Sequence, residues 1–301
     1  MNTITVIMST YNGSKFVEKQ IESILTQKGV NLTLYVRDDG SKDDTVKILQ
    51  SLAKKHNNII ISPEQNVGWE HSFLIALKNA PKADYYAFSD QDDIWFEDKL
   101  SSGIKFIEQS GIKSSPLMYH CNKISVDEDL KPYMHQIRRI PHPFNRQNAM
   151  VQEYAQGCSI ILNEEARKLV TRHIPKSKLG HDFWCGLLCY LFGKVIYDNK
   201  PHFYHITHGC NASGEGHIIR GWIGRLKILL EKPQAYYFPY TDLIVGYSDL
   251  LNVEDRQFIY KVENYKKSIC DKLSLLFSRK FVRGSVLGTI SLKIAILFNK
   301  L

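Results

Sequence analysis

Tyr85-Tyr86-Ala87-Phe88-Ser89-Asp90-Gln91-Asp92-Asp93-Ile94-Trp95 is the stretch whose reading decides the fold, an apolar, aromatic run that ends in three acids within four positions. Such a run belongs inside a sheet, but carboxylates do not, so the acids are expected to emerge at its C-terminal edge. In an open α/β sheet that edge is where ligands bind. If the strand continues, Asp90 and Asp92 share a face, and a cation relieves their repulsion most simply. Hard oxygen ligands used sparingly suit Mg2+ or Mn2+ shared with a phosphorylated ligand. Taken by itself, the run reads equally as an acidic turn capping the following helix.

Strand and helix alternate on the N-terminal side of this stretch. Ile4-Thr5-Val6-Ile7-Met8 is a short apolar run closed by the turn-rich Ser9-Thr10-Tyr11-Asn12-Gly13, after which Val17, Ile21, Ile24 and Leu25 repeat at helical spacing. Leu32 to Val36 reads as a second strand ending in Arg37-Asp38-Asp39-Gly40-Ser41. Ser41-x-x-Asp44 reads as a capping box for a helix carrying Val46, Leu49, Leu52 and Ala53. Ile59-Ile60-Ile61 is a third strand, Asn66-Val67-Gly68 leads into a helix with Phe73, Leu74 and Leu77, and Tyr85 to Phe88 is the fourth strand. The alternation predicts a parallel sheet wrapped by helices. A dinucleotide-binding half is excluded, because no G-x-G-x-x-G follows the first strand. Polar or acidic residues close three strands instead, at Ser9-Thr10, Asp38-Asp39 and Asp90-Asp92. At one sheet edge they imply a polar ligand with N–H or hydroxyl donors and an anionic group bridged by metal.

Ser9-Thr10-Tyr11-Asn12-Gly13, Asp38-Asp39-Gly40-Ser41-x-Asp43-x-Thr45, Asn66-x-Gly68 and Ser89-Asp90-Gln91-Asp92-Asp93-Ile94-Trp95 resemble, in order and spacing across residues 1 to 100, the signatures of family 2 glycosyltransferases. The Asp-Gln-Asp-Asp-Ile-Trp form is similar to a rhamnosyltransferase subgroup of bacterial surface polysaccharide assembly. The resemblance implies a GT-A fold (α/β, a Rossmann-like, mostly parallel sheet flanked by helices), a nucleotide-sugar donor, Mg2+ or Mn2+, and inversion at the anomeric carbon. Carried over by position, Ser9, Tyr11 and Asp39 line the nucleoside, Asp39 accepting the N–H of a uracil or thymine ring. Thr10, Asn66 and Gly68 belong to the same donor site, Asp90 lies near ribose and diphosphate, and Asp92 is the metal ligand. The subgroup favours dTDP-rhamnose and leaves UDP-glucose, UDP-galactose and a galactofuranose donor open. The implied acceptor is a hydroxyl of a growing, lipid-linked surface glycan. The expected division is a catalytic domain over residues 1–215 (nucleotide-sugar half 1–100, acceptor half 101–215) and a helical, basic, membrane-associating region over 216–301.

Beyond Trp95 a helix carrying Leu100, Ile104 and Ile107 is followed by a strand from Leu117 to His120. The segment from Asp129 to Met150 lacks periodicity and is long for an idle loop, so it reads either as a mobile acceptor loop or as a plain surface excursion. Tyr154 to Leu162 resembles the family's strand entering the acceptor pocket, where Gly157 allows close backbone approach. In Gly180-His181-Asp182-Phe183-Trp184 a carboxylate stands at a helix start beside aromatic residues. By itself Asp182 reads as an N-cap. The resemblance instead implies that it is the catalytic base, with His181 and Trp184 on the acceptor side. His202-x-x-His205-x-x-His208 matches no tetrahedral zinc pattern and on a strand puts neighbouring histidines on opposite faces. His208-Gly209-x-Asn211 resembles the subgroup's His-Gly-Asn-Asn element and implies a diphosphate or metal contact at His208. The family's Arg shortly before that His is absent, with Ile206 and Thr207 in its place.

The 301 residues carry a net charge of +8, and from Asp255 to Leu301 there are ten Lys/Arg against three Asp/Glu. With the amphipathic, basic Trp222 to Leu230, this tail predicts attachment to an anionic membrane surface, or burial against the catalytic domain. Nucleic acid is a poor fit, since the tail belongs to no recognition module. Val286 to Phe298 is too short and interrupted for a membrane-spanning helix. Six cysteines without a C-x-x-C pair, and no basic leader ahead of the first strand, read as a cytoplasmic protein, peripheral at the inner face of the plasma membrane. The reading from another class is a catalytically silent GT-A-like nucleotide- or glycan-binding protein, against which intact Asp92 and Asp182 speak. A nucleotidyltransferase lacks its Gly-rich, Lys/Arg-bearing loop after the first strand.

Overall fold

In the computed structural model, residues 1–112, 114–134, 142–208, 236 and 238–301 are described. The apolar runs of the first hundred residues form a parallel sheet: β1 (Thr3–Thr10) lies between β2 (Asn31–Asp38) and β4 (Tyr85–Ser89), with β3 (Ile59–Pro63) outside β2. Helices α1 (Val17–Leu25), α2 (Thr45–Lys55) and α3 (Trp69–Asn79) make the crossovers. Their spacing works as periodicity demands: Val17, Ile21 and Ile24 of α1, and Leu49 and Leu52 of α2, are buried against Val6, Met8, Leu34 and Val36.

Beyond β4 the sheet turns mixed. A short β5 (Asp93–Trp95) and α4 (Lys99–Gln109) precede β6 (Leu117–Val126), β7 (Ile160–Asn163) and β8 (Lys194–Ile206), giving the order β3-β2-β1-β4-β7-β6-β8-β5. β7 runs antiparallel to β4 and β6, β8 runs parallel to β6, and β5 pairs antiparallel with β8. Strand β4 does not continue through the acids: it stops at Ser89, and Asp90 to Asp92 form a bend before β5. Buried pairing on both faces leaves no place for the carboxylates until the chain clears the sheet. The Ser41-x-x-Asp44 capping box does not form either. Ser41 donates from both N and Oγ to Asp38 at 2.9 and 2.5 Å, and Asp44 at the N-cap makes no side-chain capping bond. Between Tyr154 and Leu162 a single 3-10 turn, Gly157–Ser159, precedes β7, so the strand is shorter than its apolar run.

The chain divides into two compact units. The first comprises Met1–His142, Tyr154–Ile174 and Gly180–Cys210, including α6 (Glu164–Thr171) and α7 (His181–Phe192). The second comprises Pro143–Glu153, Pro175–Leu179 and Asn211–Leu301. Its described elements are helical: α5 (Arg146–Ala149), α8 (Tyr240–Tyr247), α9 (Val253–Asn264), α10 (Ile269–Phe277) and α11 (Val286–Leu297). Two ties explain why short earlier segments join it. Arg146 Nε meets both oxygens of buried Asp255 at 2.9 and 3.0 Å, and Asp242 accepts from Lys176 N and Ser177 Oγ at 2.9 and 2.7 Å. Among the described residues no helix is long and apolar enough to cross a membrane. Trp222 to Leu230, Gly209 to Asn211 and the middle of the Asp129 to Met150 segment lie outside the described residues.

Candidate active site

Strand order reverses at β1: β2 and β3 follow on one side and β4 lies on the other. The C-terminal ends of β1 and β4 therefore flank the crevice where a doubly wound sheet takes its ligand. The two loops there are stitched together. Tyr11 N donates to Gln91 Oε1 at 3.0 Å, and Gln91 Nε2 donates back to Tyr11 O at 3.2 Å. Sequence pattern does not single out Gln91, because its partner is eighty residues away.

On the β2 side the turn is built by Asp38, which accepts from Thr10 Oγ1 at 2.8 Å as well as from Ser41. Thr10 is buried, so it reaches the crevice only through the loop it holds. Ser9 Oγ lies 2.5 Å from Ser72 Oγ, which also accepts from Arg37 Nη1 at 2.8 Å. Buried Arg37 is ion-paired with Asp39 Oδ1, an organising residue that composition does not reveal. Asp39 Oδ1 also accepts from Val67 N at 2.9 Å and Oδ2 from Gly68 N at 3.0 Å, while Asn66 Nδ2 donates to Asp39 O at 2.8 Å. Since a carboxylate oxygen accepts two hydrogen bonds, Oδ2 has capacity for one more, although Asp39 is 2% exposed. Gly68 sits at φ 86°, the left-handed region that favours glycine, and starts α3. Tyr11 and Asn66 are exposed.

Asp90 and Asp92 are half-buried and Asp93 is buried. Burial, with the charges of Asp93 and Asp92, pushes the Asp90 carboxyl up to about 8. Burial and Asp93 raise Asp92 as well, opposed by His208, whose Nε2 lies 2.8 Å from Asp92 Oδ2. The His208 ring stacks on Phe16 at 4.4 Å. Carboxyls lifted by crowding suit a hard divalent cation, so the chemistry of Asp92 fits Mg2+ or Mn2+, although His208 stands at hydrogen-bond distance from it and would have to draw back to about 3 Å for both to ligate one ion. Asp93, Cys158 and His205 bring three further ligand atoms within 4.8 Å of one another. Asp93 Oδ1 and His205 Nδ1, however, stand 2.8 Å apart, a hydrogen-bond distance. Two ligands of one zinc would keep roughly 3.3 Å between them, as bonds near 2.0–2.2 Å in a tetrahedron require. The pair is therefore a His–Asp hydrogen bond. Burial, the largest influence, lowers His205, but the Asp93 hydrogen bond together with the negative charges of Asp93 and Asp90 more than offsets it and holds the imidazole above its usual pKa.

At the start of α7 the N-cap is Gly180 and Asp182 lies in the first turn. There the helix dipole favours negative charge. Asp182 is half-buried and its Oδ1 accepts from Phe183 N at 2.8 Å. A Cβ placed on Gly180 would stand 2.4 Å from Asp182 Oδ1 and 3.2 Å from Trp69 Cη2, so carboxylate and indole share one corner. Trp69 is 47% exposed and supplies the aromatic surface beside Asp182. Trp184 does not: it is fully buried, its ring edge-on to His173. His181 is buried too, stacked on Phe73 at 4.0 Å and tilted against Phe88 at 4.7 Å. A Cβ on Gly157 would fall 2.2 Å from His181 Nε2, so only glycine fits there.

Residues 5–166 match the family described as Glycosyl transferase family 2. The chain is 38% identical over 249 residues to a dTDP-rhamnosyl transferase, RfbG, of Shigella flexneri, covering 75% of this chain and 80% of that protein. A 32% identity over 123 residues links 41% of the chain to 48% of an Escherichia coli UDP-Glc:alpha-D-GlcNAc-diphosphoundecaprenol beta-1,3-glucosyltransferase, WfaP. Among solved structures, S. aureus TarS 1-349 in complex with UDP-GlcNAc superposes with a TM-score of 0.57 at 17% identity, covering 92% of this chain and 77% of that one. The mannosyltransferase PcManGT of Pyrobaculum calidifontis, in complex with GDP-Man and Mn2+, gives a TM-score of 0.53 at 14% identity over 99% of this chain and 86% of that one. The shared architecture is the GT-A fold.

Proposed function

The chain belongs to glycosyl transferase family 2, and from that membership we propose that it is a metal-dependent, inverting glycosyltransferase. It moves a sugar, dTDP-rhamnose being the favoured donor and a UDP-hexose the second, onto a hydroxyl of a growing, lipid-linked surface glycan. Similarity to the dTDP-rhamnosyl transferase over most of both chains supports the donor. The partial match to a protein named for a diphosphoundecaprenol-linked substrate supports the acceptor class.

Asp39 accepts a pyrimidine N–H through the remaining capacity of Oδ2, with Ser9, Tyr11 and the Asn66–Gly68 loop around the nucleoside. Asp90 lies toward ribose and diphosphate. Asp92 and His208 would hold Mg2+ or Mn2+, which when bound offsets the charge of the departing diphosphate. Asp182 takes the acceptor's proton as the new C1–O bond forms on the face opposite the leaving group. Gly157 and buried His181 seat the helix that carries it, and the exposed Trp69 indole offers an apolar face to a sugar ring. The observation that supports this reading is that Gly68 bonds Asp39 while the next residue, Trp69, stands beside Asp182, and that Gln91 of the acid bend bonds Tyr11 after β1. A donor-hydrolysis screen over nucleotide sugars with Mg2+ and Mn2+ tests it. Release of dTDP or UDP that needs both Asp92 and Asp182 supports it, and no turnover of any nucleotide sugar contradicts it.

The protein works at the inner face of the plasma membrane, held by its helical unit. Ile269 and Phe277 of α10 and Val286 of α11 are each 76% exposed, with exposed Leu273, Leu287, Ile290 and Leu297 beside them. Leu276, Ile290, Ile294 and Leu297 line an apolar groove of about 240 Å3. From Tyr265 onward eight Lys/Arg face one acid, Asp271, so apolar side chains with basic neighbours fit an anionic lipid surface.

A further inference from the structure

The spacing His202-x-x-His205-x-x-His208 fits no zinc site, yet each histidine meets an acid. His202 Nε2 lies 3.1 Å from Asp198 Oδ2, His205 Nδ1 lies 2.8 Å from Asp93 Oδ1, and His208 Nε2 lies 2.8 Å from Asp92 Oδ2. Asp93 and His205 are also register partners across β5 and β8, and both are buried. The amide nitrogen of Gln156 lies 3.3 Å from the same His205 Nδ1, but a nitrogen whose one hydrogen goes to Asp93 has no lone pair left to accept from it, so Gln156 only packs there. Gln156 immediately precedes Gly157, the glycine pressed against His181. One buried imidazole thus ties the acid bend to β8 and packs against the turn that precedes β7.

We propose that His205 is a positioning residue of the transfer reaction: by holding Asp93 from β8, it sets the pose of Asp92, the residue before Asp93 in the acid bend. The inference rests on the reading of Asp92 as metal ligand. Its physical basis is the cost of burying a carboxylate and an imidazole, which a well-packed apolar pair would avoid without loss of stability. What the polar pair provides and an apolar one cannot is a fixed direction for the residue next to Asp93. Hydrogen-bonded partners behind a metal ligand orient it, and losing one weakens metal binding or activity about 10–100-fold.

The test uses the full chain with Mn2+ as probe, binding being followed by electron paramagnetic resonance in the presence of UDP or dTDP. His205→Leu fills the site without a hydrogen bond, His205→Phe keeps a flat ring without nitrogens, and His205→Asn restores an N–H near the position of Nδ1. The expected result is a Mn2+ Kd raised about 10–100-fold in the Leu and Phe variants. The Mn2+ needed for half-maximal turnover should rise in parallel, with donor KM at saturating Mn2+ unchanged, Tm retained, and most of the affinity recovered in the Asn variant. Native Mn2+ affinity in a folded Leu or Phe variant overturns the proposal. Equal weakening in all three also overturns it, since shape rather than the hydrogen bond would then matter. Asp92→Asn is measured alongside: if it binds Mn2+ like the native protein, the metal reading fails, whatever His205 does.

Discussion

His208 Nε2 and Asp92 Oδ2 lie 2.8 Å apart and join the residue just past the end of β8 to the bend between β4 and β5. The contact unites two motifs 116 residues apart in the chain. In the proposed function these two side chains hold the metal. Asp92→Ala is expected to abolish transfer and metal-dependent nucleotide binding while the far-UV spectrum persists. His208→Ala is expected to raise the metal requirement and retain some turnover. Near-native turnover of Asp92→Ala in EDTA-treated buffer would remove the metal from the account.

The crowded acids make metal-free stability depend on pH. An aspartate in the unfolded chain ionises near 4, while Asp90 in the fold is pushed up to about 8. Between those limits the folded protein holds the extra proton, so stability present at low pH is lost as pH rises through about 8. In the proposed function a divalent cation binds the ionised carboxylates and would reverse the loss. The Tm gained from Mn2+ should therefore be larger at a pH of about 8 than at about 5. Equal gains at both, measured by scanning calorimetry, would separate the ion from these acids.

In the proposed function, nucleoside choice depends on Asp39. UDP and dTDP are expected to bind more tightly than GDP, and Asp39→Asn should lose much of that preference. The amide would present N–H to N–H, and an unpaired polar edge costs about 1–3 kcal/mol. Asn is the better probe than Ala, because either change removes the ion pair's negative charge but the amide oxygen of Asn can still accept from buried Arg37. Tighter binding of GDP by the native protein, seen in calorimetry, would refute the assignment.

How much of this was legible in sequence follows from how local each signal is. Strands β1 and β4 are buried on both faces, so their apolar runs and polar ends stand out, and with them the parallel half and its ligand edge. The bend after Ser89 was not legible, because alternation alone cannot show where pairing stops. Gln91, Arg37 and Trp69 carry no periodic or motif signal for what they do. Their partners Tyr11, Ser72 and Gly180 lie far away in the chain and become neighbours only in the folded sheet. Trp184 stands two residues after Asp182 and looked like its aromatic wall, but in the first turns of α7 that offset sends the two side chains in different directions.

Attachment to lipid should carry an electrostatic signature. Co-sedimentation with vesicles containing anionic lipid is expected and should fall with salt, as screened attraction must. Phe277→Glu together with Leu297→Glu should weaken it at constant charge elsewhere. Equal partitioning onto neutral vesicles at high salt would point to purely apolar attachment. No binding to either would leave the α10 and α11 face to another partner.

The central claim is that Asp182 is the base, while His181, buried between Phe73 and Phe88, only supports it. The most direct measurement is kcat of Asp182→Asn and His181→Ala, each beside the nucleotide Kd from calorimetry. General-base assistance is worth about 10²–10⁴-fold, so Asp182→Asn should lose that much kcat with nucleotide Kd almost unchanged. His181→Ala should cost clearly less. A dead His181→Ala enzyme beside an Asp182→Asn enzyme that keeps most of its turnover would contradict the account.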